Sequence, residues 1–382
     1  MKDSNHKNKT VLIIAGEASG DMHGANLVRE MLNRDPALKF YGIGGKKMLQ
    51  EGVQLLADAS TMAVVGLTEV VFKLKDILKI MRTIKKSLDE RRPDLVVLID
   101  YPDFNLPVAK AARRHNIKVL YYISPQVWAW RQSRIEQIKK TVTRMAVILP
   151  FEVETYRRHG FAADYVGHPL LDMIKTTYSK KESRKKFDLH EDKITIGILP
   201  GSRMSEIKKL LPELLQAATI MKDSIPELQF VVPLADTLEE KNLTGIIAGF
   251  PIDVNVISGQ TYDVVSCADL ALVASGTATL ETALLKVPMI IVYKISPLSY
   301  FIGKLFVRVK NIGLVNIIAE KTIVPELIQN DASGTRIARE ALSILENESK
   351  KQTMIRELEA IRFRLGEPGA AIKTAKLALD ML

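Results

Sequence analysis

The sequence predicts an α/β protein of two Rossmann-like halves, each a doubly wound parallel sheet, with the halves facing a cleft. Three observations carry this. The chain has 382 residues, more than one ordinary core accommodates. Short, very apolar runs ending in Gly, Asp or Pro alternate with segments of helical period, the pattern of parallel strands covered on both faces. That alternation stops at a charge-dense stretch, Lys175–Lys193, and then begins again.

In the first half, Thr10–Ala15 reads as a strand, followed by a Gly-rich turn and a helix through Leu27, Met31 and Leu32. Lys39–Ile43, Asp94–Asp100, Lys118–Ile123, Arg144–Leu149 and Ala163–Val166 continue the strands, with helices expected over Leu106–His115 and Gln132–Val142. After Gly167-His168-Pro169 and the charged stretch, the series restarts with a strand over Lys193–Leu199 and a helix over Met204–Met221. Strands follow at Leu228–Val232, Asp253–Ile257, Asp269–Val273 and Pro288–Val292. The tail from Arg336 has helical period and breaks near Gly366-Glu367-Pro368-Gly369. The expected division is residues 1–172, residues 173–345, and a helical segment 346–382 that is a candidate to pack back on the first domain.

Composition narrows the function. The apolar fraction of 47% is that of a globular protein, and the net charge of +10 draws anions to the surface. Nucleic acid, anionic lipid and phosphorylated small molecules all fit that field. One cysteine, Cys267, excludes an internal disulfide framework and suits a reducing cytosol. The apolar run after the basic N-terminus, Val11–Ala15, is too short for a signal-peptide core. No stretch reaches the roughly 18 uninterrupted apolar residues of a spanning helix.

Four loops that follow predicted strands are candidates for chemistry, because ligands of such sheets bind at the carboxyl ends of the strands. The first is Gly16-Glu17-Ala18-Ser19-Gly20-Asp21. Its glycines let backbone amides approach a ligand, and Glu17 and Asp21 suit sugar hydroxyls; the plainer role for Asp21 is a helix cap. Gly16, Glu17, Ser19, Gly20 and Asp21 therefore enter the candidate donor site. The spacing matches neither G-x-G-x-x-G nor a P-loop. The second loop is Asp100-Tyr101-Pro102-Asp103-Phe104-Asn105. A carboxylate partly desolvated at a sheet's edge is suited to general-base work, so Asp100 is favoured. Asp103 precedes a helix and suits a cap, although Asp103 and Asp21 stay open as alternative bases.

The third loop, Leu199-Pro200-Gly201-Ser202-Arg203, offers the backbone amides of Gly201 and Ser202 and the planar fork of Arg203 to a diphosphate. The fourth, Ala274-Ser275-Gly276-Thr277-Ala278-Thr279-Leu280-Glu281, opens a helix. Ser275, Gly276 and Thr277 could meet the diphosphate, and Glu281 could accept from a ribose diol. There is no Asp-x-Asp pair, and the six scattered histidines have no ligand spacing, so no metal and no cofactor is expected.

One further stretch, Val64–Lys86, is amphipathic. Leu67, Val70, Val71, Leu74, Ile77, Leu78 and Met81 recur at helical spacing, and Lys73, Lys75, Lys79 and Arg82 lie largely off that stripe. Core packing is the ordinary explanation; contact with anionic lipid or an acyl chain is the alternative. Tyr300–Arg308 mixes aromatics and cations in the same way. Trp128 and Trp130, beside Arg131, suit an interface or an aromatic core equally.

Taken in order, the first two loops, Ser124-Pro125-Gln126-Val127-Trp128-Ala129-Trp130-Arg131, and the last two loops resemble lipid-A-disaccharide synthases, over nearly the whole chain from Val11 to Asn330. The resemblance implies a GT-B glycosyltransferase, with UDP-sugar held mainly by the second domain and acceptor by the first. It implies transfer of 2,3-diacylglucosamine from UDP to 2,3-diacylglucosamine 1-phosphate, giving a β-1,6 disaccharide and UDP. An α-linked donor and a β-linked product imply one inverting displacement, with Asp100 as base, Arg203 at the diphosphate and Glu281 at the ribose. Asn316, in Gly313-Leu314-Val315-Asn316, joins the donor site through the resemblance alone. The implied place is the cytosolic face of the Gram-negative inner membrane, as a peripheral protein on an anionic surface. Family members can exchange C-terminal parts in a dimer, so an oligomer is admitted.

Two rival readings remain at this stage. A UDP-N-acetylglucosamine 2-epimerase would keep the nucleotide loops but have no use for a greasy basic stretch at Val64–Arg82. A non-catalytic basic protein would need neither Asp100 nor Arg203, and no nucleic-acid module is visible.

Overall fold

The computed structural model describes residues 9–59, 67–128, 133–235, 238–295 and 311–382, with only the backbone for 67–74. Two compact units emerge: residues 1–172 with 367–382, and residues 173–366.

The first unit is built on a seven-stranded parallel sheet. Its strands are β1 (Thr10–Ala15), β2 (Lys39–Gly44), β3 (Gln54–Asp58), β4 (Leu95–Ile99), β5 (Lys118–Tyr122), β6 (Arg144–Val147) and β7 (Asp164–Tyr165), in the order β3-β2-β1-β4-β5-β6-β7. Alternate residues of each central strand enter opposite cores. Leu12 and Ile14 of β1 pack with Val96 and Leu98 of β4 on one face. Val11, Ile13 and Ala15 pack with Leu95, Val97 and Ile99 on the other. Burial on both faces is why these strands read as unbroken apolar runs. The edge strand β3 is only half-buried, and its sequence, QLLAD, carries no such run. Winding reverses between β1 and β4, so the loops after those two strands diverge and leave a crevice.

The second unit repeats the plan with β8 (Ile194–Leu199), β9 (Leu228–Leu234), β10 (Val254–Ser258), β11 (Leu270–Ala274), β12 (Met289–Tyr293) and β13 (Glu326–Ile328). All are parallel, in the order β10-β9-β8-β11-β12-β13. Here the winding reverses between β8 and β11. The linker that enters this unit is pinned by carboxylates: Asp263 accepts the N–H groups of Thr177 and Tyr178 at 2.7 and 3.1 Å. Asp269 accepts from Lys180 at 2.7 Å, Arg184 at 2.6 Å and the Thr195 N–H at 2.8 Å.

The C-terminal segment corrects one expectation. It is not one body: the helix Glu348–Arg364 belongs to the second unit, and only Ala370–Met381 joins the first. Gly366 and Gly369, at φ +70 and +105, flank Pro368 and separate the two helices. Ala375, Ala378 and Met381 enter the core beside Leu27 and Met31. Asp172 caps the helix by accepting the N–H groups of Gly369 and Ala370 at 2.5 and 3.0 Å.

Candidate active site

In the first unit the candidate residues converge where β1 and β4 end. Asp100 follows β4 directly, and both Asp100 and Tyr101 are left-handed, each at φ +46. Consecutive left-handed non-glycine residues are costly, on the order of 1–3 kcal/mol each. Pro102, at the first position of the helix Pro102–Arg114, disfavours right-handed helical geometry in the residue before it and pre-sets the helix that follows. Two donors hold the bend: Tyr121 Oη and Asn105 Nδ2 lie 2.6 and 2.7 Å from the Asp100 carbonyl oxygen.

The Asp100 side chain is open to solvent on one side. On the other it lines a hollow of about 170 Å³ with Pro102, Pro125, Gln126, Val127 and Arg134. Desolvation there, with a smaller contribution from the negative charge of Glu17, pushes its carboxyl up to about 6, while the Tyr101 N–H pulls the other way. A carboxylate near 6 is ionised at neutral pH yet basic enough to take a proton. Asp103 is different: it is largely exposed and paired with Arg134.

The remaining residues of the first loop divide. Glu17 precedes the helix Ala18–Leu32 and stands close enough to Asp100 to act on its charge. Ser19 is exposed on that helix. A side chain at Gly16 would collide with the Tyr101 ring, and one at Gly20 would stand 3.2 Å from the Ala15 Cβ. Both glycines therefore serve packing. Asp21, expected to bind donor or act as base, is buried and spoken for. Its oxygens accept the N–H groups of Gly45 at 2.6 Å, Lys47 at 3.0 Å and Met48 at 3.1 Å, capping the helix Lys46–Gln50.

In the second unit the loops after β8 and β11 occupy the equivalent switch point. Gly201 is left-handed at φ +108, and a side chain on it would collide with Glu206. Glu206 folds back over the turn: its carboxylate accepts the Ser202 N–H at 3.3 Å and meets Arg203 Nη1 at 3.3 Å. Arg203 stands at the N-cap of the helix Met204–Ser224, and half its side chain is exposed. After β11, Gly276 and Thr277 are exposed and Ser275 half-buried at the start of the helix Thr277–Leu284. Glu281, inside that helix, is raised above the usual carboxylate range by burial, against a 3.4 Å hydrogen bond from Tyr262 Oη.

Asn316 is corrected. It is fully buried and its amide is saturated. Nδ2 donates to the Val324 carbonyl at 2.9 Å and to Glu326 at 2.7 Å, and Oδ1 accepts from Ile323 and Val324 at 2.8 and 3.1 Å. Glu326 in turn accepts the N–H groups of Ile312 and Gly313. This stitches the helix Leu314–Ala319 to the segment that enters β13, with no amide valence left for a ligand.

The greasy stretch also divides. Val64–Gly66, Trp130, Arg131 and Tyr300–Arg308 lie outside the described residues, as do the side chains of Leu67, Val70, Val71 and Leu74. Lys75 is exposed on the helix Leu67–Arg91. Ile77 is corrected: with Ile80 and Met81 it packs against the core. Trp128 packs edge-on against Phe151 at 5.2 Å and donates to Glu152, so it is tied inward. Among the described residues no helix is long and apolar enough to cross a membrane, and no three His, Cys, Asp or Glu side chains converge to hold a metal ion.

Tyr121, Asn105, Glu206 and Tyr262 were not singled out by sequence reasoning. Asn105 lies in a motif that was, five residues past Asp100; the others carry no local signal, because Tyr121 meets a different strand, Tyr262 a different helix and Glu206 the turn before its own helix.

The sequence comparisons with known proteins agree on one assignment. A family model described as Lipid-A-disaccharide synthetase matches residues 11–378. The lipid-A-disaccharide synthase of Syntrophus aciditrophicus is 53% identical, over 98% of each chain. That of Nitrosococcus oceani is 47% identical, over 97% of this chain and 96% of its own. Among solved structures, UDP-GlcNAc 2-epimerase from Neisseria meningitidis bound to UDP-GlcNAc superposes with a TM-score of 0.67 at 13% identity, covering 97% and 100% of the two chains. Acinetobacter baumannii MurG does so at 0.57 and 15%, covering 97% and 99%. At such identities the structures speak for the GT-B fold alone, whereas the sequence relatives speak for the activity and set aside the epimerase and non-catalytic readings. The chain belongs to the lipid-A-disaccharide synthase family.

Proposed function

We propose that this chain transfers 2,3-diacylglucosamine from UDP to 2,3-diacylglucosamine 1-phosphate in one inverting step, yielding the β-1,6 disaccharide 1-phosphate and UDP. Family membership supports the reaction. The observation that carries the residue roles is the Asp100 carboxyl, raised to about 6 at the end of β4 beside a hollow. As the acceptor oxygen bonds to the anomeric carbon, its proton passes to Asp100. The bond from that carbon to the diphosphate breaks, and UDP leaves with the electron pair. Desolvation, with a smaller contribution from the charge of Glu17, keeps Asp100 basic enough for this transfer.

The leaving diphosphate is met by Arg203, by the N–H groups of Gly201 and Ser202, and by those of Gly276 and Thr277. Glu281 accepts from the ribose hydroxyls. This reading needs no metal ion, and a chelator is expected to leave the rate intact; a loss restored by magnesium would overturn that part. The sequence from Leu67 to Lys75, apolar and basic, supports contact with an anionic membrane, with the enzyme peripheral on the cytosolic face of the inner membrane. Exchange of C-terminal parts between two copies, which the family admits, is not required.

The test is UDP release from UDP-2,3-diacylglucosamine with and without 2,3-diacylglucosamine 1-phosphate. Release that depends on the acylated acceptor is expected. Turnover of plain UDP-N-acetylglucosamine without acceptor would sink the assignment.

A further inference from the structure

Glu152 is a charged side chain in the core of the first unit, with 2% of its surface exposed. It lies in the first turn of the helix Pro150–Arg158. Its two oxygens are divided. Oε2 accepts the N–H groups of Ile148 and Leu149 at 3.3 and 3.0 Å, ordinary work for a carboxylate at a helix start. Oε1 accepts instead from outside the helix: the indole N–H of Trp128, 3.3 Å away, in the loop after β5.

That loop is fastened a second time. Ser124 Oγ lies 2.8 Å from the phenol of Tyr156, one turn beyond Glu152 on the same helix, and Ser124 also bonds to Glu152 itself. The Trp128 ring rests edge-on against Phe151. Both ends of the segment Ser124–Trp128 are thus tied to one helix. Between them, Pro125, Gln126 and Val127 form a tight three-residue turn, closed by a 2.6 Å hydrogen bond from the Val127 N–H to the Pro125 carbonyl. Those three residues line the hollow together with Asp100.

We propose that Glu152 is a positioning residue for the transfer: through Trp128 and Ser124 it holds the Pro125–Val127 wall of the hollow at a fixed distance from Asp100 and so sets the grip on the acceptor. The acceptor's place in this hollow rests on the function proposed above. Burial pushes the Glu152 carboxyl up to about 7, against the N–H donors that pull it down. The titratable groups that face it are the phenols of Tyr156, on its own helix, and Tyr165, on β7, both raised by burial. As pH rises through 7 the carboxylate ionises and becomes the stronger acceptor for the indole N–H, so the wall tightens.

Trp128→Phe tests the link, because it removes the indole N–H and leaves both backbone caps of Glu152 intact. The melting temperature is expected to stay within about 3 °C. Acceptor kcat/KM is expected to fall on the order of tenfold, with UDP affinity unchanged. A purely structural Glu152 predicts a Trp128→Phe enzyme with wild-type acceptor kcat/KM, and that result overturns the proposal. A second measurement needs no turnover. In a Trp130→Phe background the remaining indole's emission should titrate near pH 7, and Glu152→Gln should abolish the titration. Emission that is flat with pH, or unchanged by Glu152→Gln, overturns the link. Titration without acceptor-dependent turnover would fault the proposed function and leave the link standing.

Discussion

The phenol of Tyr121, on β5, donates a 2.6 Å hydrogen bond to the main-chain carbonyl of Asp100, at the end of β4. Tyr121 is fully buried, so its ring cannot move aside, and the carbonyl it holds belongs to the first of two left-handed residues. The bond therefore fixes the backbone that aims the carboxylate. Tyr121→Phe keeps the ring and deletes the donor, leaving Asn105 as the second partner of that carbonyl. The loss of one buried hydrogen bond costs about 1 kcal/mol of stability. The expected kinetic outcome is kcat lower by roughly tenfold with both KM values unchanged, since the base is misaimed and no binding group is removed. Steady-state kinetics in both substrates reads this; a wild-type kcat would detach Tyr121 from the chemistry.

The carboxyl of Asp100 sets a pH dependence. With its value raised to about 6, the base is ionised above pH 6 and protonated below it, so kcat/KM should climb with pH through 6 and level off. Asp100→Asn removes that limb, with a loss in kcat on the order of 100-fold while UDP still binds. The stability consequence has the opposite sign. A carboxyl whose folded-state pKa is raised stabilises the fold below the unfolded value and loses that contribution as pH rises through about 6. Asp100→Asn should therefore melt at or above the wild-type temperature at pH 8. A lower melting point there would contradict the desolvation argument.

What could be read before the structure follows from where burial is two-sided. β1, β4, β8 and β11 are sheathed on both faces, so each is an apolar run and each announced the loop behind it. Both switch points were therefore legible, and with them the places of Asp100, Arg203 and Glu281 behind those strands; their chemical roles are the ones proposed above. β3 and β13, at sheet edges, are short and half-polar and were not read. Asp21 was read from its motif and Asn316 from the family resemblance alone, and neither signal separates a polar side chain that faces a ligand from one that stitches backbone. Only the distances from Asp21 to Gly45 and from Asn316 to Val324 tell the two apart. Ile77 misled because one apolar stripe serves core and membrane alike. Partly buried beside Met81, that residue packs against the core.

Arg203 and Glu206 form a second testable pair. Glu206 meets the Arg203 guanidinium and the Ser202 N–H, two of the groups assigned to the diphosphate. A dianionic ligand in that loop must share these donors with a carboxylate already there. Arg203→Ala should weaken UDP binding by about tenfold, the scale of one charge-assisted hydrogen bond. Glu206→Gln lowers the repulsion while keeping a side chain of the same size, and should tighten UDP by a few-fold. Calorimetric titration with UDP distinguishes the two. Weaker binding in Glu206→Gln would mean that the carboxylate orders the loop for the ligand, and the competition argument would fail.

Asn316 gives the sharpest contrast between two roles for one residue. A donor-site role predicts that Asn316→Ala spares the fold and weakens UDP binding. The geometry predicts the reverse. The amide makes four hydrogen bonds in a fully buried site, and its removal leaves the Ile323 and Val324 N–H groups and the Val324 carbonyl without that partner. Unsatisfied buried groups of this kind cost about 2–4 kcal/mol together. Glu326 also loses a donor, and it holds the Ile312 and Gly313 N–H groups, so the loop before the helix Leu314–Ala319 loosens with it. The expected result is a lower urea midpoint with an unchanged slope, and wild-type UDP affinity measured on the folded fraction. A protein of wild-type stability with weakened UDP binding would return Asn316 to the donor site.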